Sequence, residues 1–150
     1  MTEMQGAIGR IQLKRMSNWQ KKRITNANEI WNCAKNCKGL NVSDIPNYIH
    51  HAAYKCYVFV KSEELKDEWN RDKILNEINL LDVPCYTGAC PEVYLEKAFD
   101  KSGLRPVERL VNAKKLGETS LMFLVHPTLT KNEINQTCDA IISVMKLATK

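Results

Sequence analysis

Apolar residues in the first part of the chain recur at helical spacing. Met4, Ile8 and Ile11 follow an i, i+4, i+7 pattern, and apolar residues continue along the same face as far as Trp31. This spacing is typical of an amphipathic α-helix. We therefore predict one long helix over residues 2–36.

Both the interior and the ends of this predicted helix are informative. Gly6 and Gly9 lie inside it, where each glycine costs about 1 kcal/mol relative to alanine. Small residues at such positions favour close contact with another helix or subunit. Lys38 and Gly39 mark the end of the helix, whereas no capping residue is apparent at its start. A helix of this length without a cap is expected of a segment cut from a larger protein.

Three further apolar runs predict β-strands. Residues 53–60 (AYKCYVFV) alternate aromatic and β-branched side chains between two faces. Residues 120–125 (SLMFLV) form the most apolar run, and Gly117 and Pro127 on either side of it predict a central strand. Residues 83–86 predict a second, shorter strand.

Helices are predicted between and after these strands. Asn70 caps one helix, and the Thr130–Glu133 pair forms a capping box ahead of the last one. The others are predicted over residues 91–99 and 106–116, with Gly117 as a C-terminal stop. In the Asn70-capped helix the apolar stripe consists of Ile74, Leu75, Ile78 and Leu81. The sequence therefore predicts an α/β (α+β) domain in which about three strands pack with helices behind a long leading helix.

Length and composition limit the class of protein. A chain of 150 residues with 44% hydrophobic and 26% charged residues fits one globular domain. No apolar run approaches the roughly 20 residues that cross a bilayer. The N-terminal residues lack the basic region and apolar block of a secretory signal. We therefore expect a cytoplasmic protein.

The net charge of +5 is unevenly distributed. Six basic residues and no acidic one fall between Arg10 and Arg23. Such a cluster is compatible with a small basic module that binds nucleic acid, and this alternative stays open. We favour a solvated helix face, because aromatic residues are not interleaved as a base-stacking surface requires.

Six cysteines raise the alternative of a metal or redox protein. None forms a C-x-x-C pair, and the His50–His51 pair lacks zinc-finger spacing. Reduced, partly buried thiols in a cytosolic protein are therefore favoured.

A turn between two prolines, Pro84 and Pro91, is the main candidate site. Gly88 permits a positive φ within this turn, and Pro91 followed by Glu92 suits the start of a helix. Loops held by rigid elements often carry binding residues, although a purely structural connector explains the same residues. The candidate substrate-binding residues of this segment are Cys85, Tyr86, Thr87, Gly88, Cys90 and Glu92.

Four segments resemble the DegT/DnrJ/StrS family of sugar aminotransferases. TEMQGAIGRIQLKRM is similar to the helix that follows the cofactor lysine in that family, where a pattern M-[ST]-E-[MI]-Q-A-A-I-G-x-x-Q-L recurs. WNRDKILNEINLLDVPCYTG resembles the R-D…G-[IV]-P segment of the family. CPEVYLEKAF and ERLVNAKKLGETSLMFLVHPTLTKNEI follow in the family's order. The resemblance covers nearly the whole chain.

The resemblance implies a pyridoxal-phosphate (PLP) enzyme of the aspartate-aminotransferase-like fold. Such enzymes transfer an amino group, usually from glutamate, to a keto sugar nucleotide, and they work as homodimers. The cofactor lysine and phosphate-binding groups of the family lie in a large N-terminal domain. We therefore expect residues 1–38 to link to such a missing domain and residues 39–150 to form a small C-terminal domain with a mainly antiparallel sheet. This chain alone is expected to lack a catalytic residue, a cofactor site and activity.

The resemblance also implies where substrate contacts lie. In the family the loop after the I-P or V-P pair approaches the sugar nucleotide and often carries histidines. Residues 85–91 contain no histidine, which leaves the identity of the sugar open. His126 in the VHP segment matches a family position, and a structural role at a strand end is favoured over a contact with substrate.

Overall fold

The sheet has four antiparallel strands in the order β1-β2-β4-β3. The computed structural model describes residues 1–150. The strands are β1 (Leu40–Asn41), β2 (Cys56–Val60), β3 (Cys85–Tyr86) and β4 (Ser120–Phe123). The helices are α1 (Glu3–Lys35), α2 (Arg71–Leu80), α3 (Val111–Thr119) and α4 (Lys131–Ala148). The predicted class of fold, long helix and central position of β4 are confirmed.

The two faces of β2 have different environments. Cys56, Val58 and Val60 are buried and belong to one hydrophobic core with helices α1, α2 and α4. Tyr57 and Phe59 point to the opposite face, because side chains alternate along a strand. This second face is half-buried, and it positions the candidate site.

Capping side chains define the helix starts that the sequence predicted, and one that it did not. The Thr130 hydroxyl accepts a hydrogen bond from the Glu133 N–H, and the Thr130 N–H donates to the Glu133 carboxylate. The Asn70 side chain accepts from the Lys73 N–H. The expectation that α1 has no cap is wrong, since Thr2 and Gln5 form a capping box there.

Helix α1 contacts the core only through its second half. Its buried residues all lie between Asn26 and Ala34. In the first half, apolar side chains such as Ile8 and Ile11 are exposed, and nothing lies near Gly6 or Gly9. The close contact predicted at these glycines therefore does not occur within the chain.

The prediction of a helix over residues 91–99 is wrong. Two short 3-10 turns, Val93–Leu95 and Lys97–Phe99, take its place. The Arg105 guanidinium donates to the carbonyls of Tyr94, Leu95 and Glu96, and so occupies oxygens that an α-helix would use for its own ladder.

Helix α3 is also displaced from its predicted position. It begins at Val111, not residue 106, and runs through Gly117 to Thr119. Gly117 is therefore not a stop signal. It lies against the ring of Pro91, and a Cβ on it would come within 2.5 Å of the Pro91 Cγ.

Differences in the remaining elements are small. Strand β1 is not among the predicted strands, although it pairs with Val60 and Phe59. Strand β2 begins at Cys56 and not at residue 53, and Ala53 itself has a φ of 45°, outside the β region. Leu81 is exposed and does not extend the buried stripe of α2.

Candidate functional site

The 84–92 loop (residues 84–92) crosses the half-buried face of the sheet and is held at three points. At its start, the Asn79 amide contacts both backbone groups of Cys85. The Asn79 Nδ2 donates to the Cys85 carbonyl at 3.0 Å, and the Cys85 N–H donates to Asn79 Oδ1 at 3.1 Å. Cys85 itself is buried in β3 opposite Phe123. The start of the loop is therefore fixed to α2 and to the sheet.

The middle of the loop rests on Tyr57. Gly88 has a φ of 92°, a positive value of the kind that glycine permits. A Cβ at this position would lie 2.7 Å from the Tyr57 hydroxyl oxygen. The Ala89 N–H donates to the same oxygen at 3.1 Å. Both the close approach and the positive φ require glycine at this position.

The end of the loop is held by charge. The Arg109 guanidinium donates to both carboxylate oxygens of Glu92, at 2.6 and 2.5 Å. The Tyr94 hydroxyl donates to Glu92 at 2.6 Å and accepts from the Leu110 N–H at 3.0 Å. These donors, Arg109 first, lower the pKa of Glu92 to about 2. Glu92 is therefore a carboxylate already fully engaged by the protein, and it orders the loop.

The side chains left available on the loop are polar. Tyr86 is 48% exposed, and Thr87 and Cys90 are exposed. The Cys90 thiol makes one contact, at 3.5 Å to Glu96. Burial raises the pKa of the Cys85 thiol to about 12, and this residue has no surface to offer a ligand. Of the predicted candidates on this loop, Tyr86, Thr87 and Cys90 are thus the ones that are exposed.

His126 lies apart from these contacts. Its Nδ1 is 2.8 Å from the Thr128 hydroxyl, and its carbonyl accepts from the buried Asn26 side chain at 3.2 Å. None of its hydrogen bonds reaches residues 85–92. The structure gives His126 the contacts of a turn that follows β4.

The residues that hold the 84–92 loop were missed by sequence reasoning. Asn79 sits in a helix, Tyr57 in a strand and Arg109 in a segment predicted as helix. In the sequence, only the aromatic residues Tyr57 and Phe59 on the second face of β2 indicate that something packs against that face. Each of the three contacts spans six residues or more, so spacing patterns do not reveal them.

The cysteines form no metal centre. No group of three or more His, Cys, Asp or Glu side chains is arranged to hold a metal ion. Cys33 donates to the Cys138 carbonyl. A side-chain hydrogen bond with Cys138, together with burial, raises the pKa of the Cys33 thiol. Burial also raises the pKa of Cys56. All six thiols are free.

The residues of this chain do not fit a PLP site. The cofactor needs a lysine for its aldehyde, an acidic partner for its ring nitrogen and a phosphate-binding helix start. None of the lysines is buried. The six glycines include no G-x-G cluster.

The basic cluster between Arg10 and Arg23 lies on α1. Five of its six residues are exposed, and Arg23 is half-buried with its guanidinium 5.6 Å from the centre of the Tyr54 ring.

No helix in the structure has both the length and the apolar character that a membrane crossing requires.

Comparisons with known proteins place this geometry in context. Among solved structures, the chain is similar to an aminotransferase from Psychrobacter cryohalolentis, with a TM-score of 0.90 and 54% sequence identity. That match covers 98% of this chain and 39% of the other. No curated protein sequence matches significantly.

Two more distant structures share the fold. Aminotransferase TlmJ from Streptoalloteichus hindustanus matches with a TM-score of 0.80 and 17% identity, over 93% of this chain and 35% of that one. A GDP-4-keto-6-deoxymannose-3-dehydratase with a trapped PLP-glutamate geminal diamine matches with a TM-score of 0.74 and 21% identity, over 93% and 35%. The chain therefore spans little more than a third of the structures that it resembles.

The family follows from the sequence as a whole. The profile of the DegT/DnrJ/EryC1/StrS aminotransferases matches residues 1–142, which is nearly the full length. Its description agrees with the resemblance seen in the four sequence segments. The chain belongs to the DegT/DnrJ/EryC1/StrS aminotransferase family.

Proposed function

We propose that this chain is the small C-terminal part of a sugar aminotransferase. This chain and a large PLP-binding domain together make up the complete enzyme. The complete enzyme transfers an amino group from glutamate to the keto group of a nucleotide-linked sugar, in the synthesis of cell-surface polysaccharides or related sugars. Family membership supports the reaction class.

The single observation that carries the role of this chain is the geometry of the 84–92 loop. Three separate contacts hold this loop, two through its backbone and one through the Glu92 carboxylate, yet Tyr86 and Thr87 remain exposed. Holding polar side chains rigidly at a surface lowers the entropy cost of binding a ligand. The hydroxyls of Tyr86 and Thr87 are suited to donate to and accept from the hydroxyls of a sugar.

The remaining loop residues have supporting roles. Gly88 allows the close approach to Tyr57, and Glu92 anchors the loop end through Arg109. Cys85 fills the core below the loop. Cys90 stays a candidate for a substrate contact through its exposed thiol.

The cofactor belongs to the other domain in this proposal. PLP supplies the electron sink for the exchange of the amino group when it is bound. As the resemblance to the family implies, we assign the cofactor lysine to the large domain. One structural neighbour was solved with PLP and glutamate, which supports both the cofactor and the donor.

Residues 1–38 then link the two domains, and residues 39–150 form the small one. The exposed first half of α1, with apolar side chains such as Ile8 and Ile11, is suited to lie against the large domain or a second subunit. We propose a homodimer, as the resemblance to the family implies, and a location in the cytoplasm.

The experiment that tests the function is an amine-transfer assay. The complete enzyme, loaded with PLP, is incubated with glutamate and a panel of keto sugar nucleotides, and the 2-oxoglutarate released is measured. We expect turnover with at least one nucleotide sugar and none from the 150-residue chain alone. Turnover with simple 2-keto acids and with no sugar nucleotide would contradict the proposal.

A further inference from the structure

Tyr57 is fixed by the sheet and core independently of the 84–92 loop. It lies in the middle of β2 and pairs with Met122 of β4. Its carbonyl accepts a hydrogen bond from the Trp31 indole N–H at 3.1 Å. Its ring stacks on Phe59, with the ring centres 6.4 Å apart and the planes at 10°. These contacts position the Tyr57 hydroxyl without any contribution from the loop.

The middle of the loop, in contrast, depends on that hydroxyl. Between Thr87 and Pro91, the Ala89 N–H is the only backbone group that forms a hydrogen bond, and its acceptor is Tyr57 Oη. Gly88 lies directly on the same ring. Without this contact, no backbone group of residues 87–91 has a hydrogen-bond partner, and the segment keeps only the contact of the Cys90 thiol with Glu96 and that of the Pro91 ring with Gly117.

We propose that Tyr57 is a positioning residue for the sugar-nucleotide half of the reaction. Its hydroxyl holds the backbone at Gly88 and Ala89, and thereby sets the direction in which the neighbouring Thr87 presents its hydroxyl, whereas Tyr86 is held by its pairing with Met122 in the sheet. Tyr57 acts through the loop and does not itself touch the substrate. This inference rests on the proposed function and adds a residue that the loop sequence does not contain.

The Tyr57→Phe substitution tests the inference with little disturbance to the fold. It removes the hydroxyl and keeps the ring that stacks on Phe59 and supports Gly88. Tyr54→Phe is the matched control, because Tyr54 is 73% exposed and its hydroxyl makes no hydrogen bond.

The first readout is hydrogen exchange at the loop in the complete enzyme, followed by mass spectrometry of peptides covering residues 86–92. Only the Ala89 amide in the stretch 87–90 is hydrogen-bonded, so a change in slow exchange reports on this contact. Loss of one hydrogen bond of ordinary strength predicts exchange that is about three- to tenfold faster in Tyr57→Phe. Tyr54→Phe is expected to exchange like the unsubstituted enzyme.

The second readout separates the two half-reactions. We expect Tyr57→Phe to raise the KM for the keto sugar nucleotide about three- to tenfold, with KM and rate for glutamate unchanged. An equal effect on both substrates would show a general structural role and overturn the inference. So would an unchanged sugar KM, whether or not exchange becomes faster.

Failure of the proposed function gives a different result. If the unsubstituted complete enzyme transfers no amine to any sugar nucleotide, the proposed function is overturned and the positioning role falls with it. If the unsubstituted enzyme is active and the Tyr57→Phe enzyme matches it in both KM values, only the positioning role is overturned.

Discussion

Glu92 is the charged residue on which the end of the 84–92 loop depends. Arg109 and Tyr94 donate three hydrogen bonds to its carboxylate and lower its pKa from 4.5 to about 2. A carboxyl with a depressed pKa in the folded state stabilises the protein above its unfolded pKa, and this stabilisation is lost as pH falls towards the folded value. The contribution is therefore complete above about pH 5.

This linkage predicts how a Glu92→Gln variant differs from the unsubstituted chain. The variant is expected to be less stable at neutral pH, and the difference should shrink as pH falls from about 4.5 towards 2. Urea unfolding at several pH values measures it. Glu118→Gln is the control, since Glu118 lies on the surface and is 3.8 Å from Lys114. A stability difference for Glu92→Gln that does not change with pH would contradict the role of its charge.

Single residues show where sequence reasoning succeeded at the candidate site. The positive φ of Gly88 was predictable because glycine is the residue that adopts this backbone conformation without steric cost. The burial of Cys85 and the partners of Glu92 were not, since they depend on Phe123 and Arg109 far along the chain. The sequence thus located the loop, while the contacts that hold it became visible only in three dimensions.

At the scale of elements, local chemistry decided which predictions were confirmed. Helices α2 and α4 start where Asn70 and Thr130 predicted, because a capping side chain acts within three residues. The segment after Pro91 is not helical because Arg105 binds its carbonyls from outside the segment. Such a distant competitor leaves no periodic signal.

The two capping boxes, at the starts of α1 and α4, allow the same hydrogen bonds to be compared in an exposed helix and in a helix of the core. Thr130→Ala should lower the free energy of unfolding by about 1 kcal/mol, because α4 is part of the core and must form with it. Thr2→Ala removes the same chemistry from the exposed half of α1 and should leave global unfolding nearly unchanged. Chemical denaturation of both variants measures this difference. Equal losses would mean that the start of α1 unfolds cooperatively with the core.

At the scale of the whole molecule, the chain matches only part of the aminotransferases that it resembles. It covers 39% of the Psychrobacter cryohalolentis structure at 54% identity. The exposed apolar side chains on the first half of α1 are consistent with a surface that a larger assembly covers. Most helices and strands were predictable from periodicity and caps, whereas the antiparallel sheet and the relation to a larger protein came from the family resemblance.

The proposed recognition of a sugar by the 84–92 loop is tested most directly by the Michaelis constants of a Thr87→Val variant for the two proposed substrates. In the complete enzyme, losing the exposed hydroxyl should raise the KM for the keto sugar nucleotide about three- to tenfold and leave the KM for glutamate unchanged. Thr25→Val, which removes an exposed hydroxyl from α1, is the control. Equal changes in both constants, or no change in either, would contradict sugar recognition by the 84–92 loop.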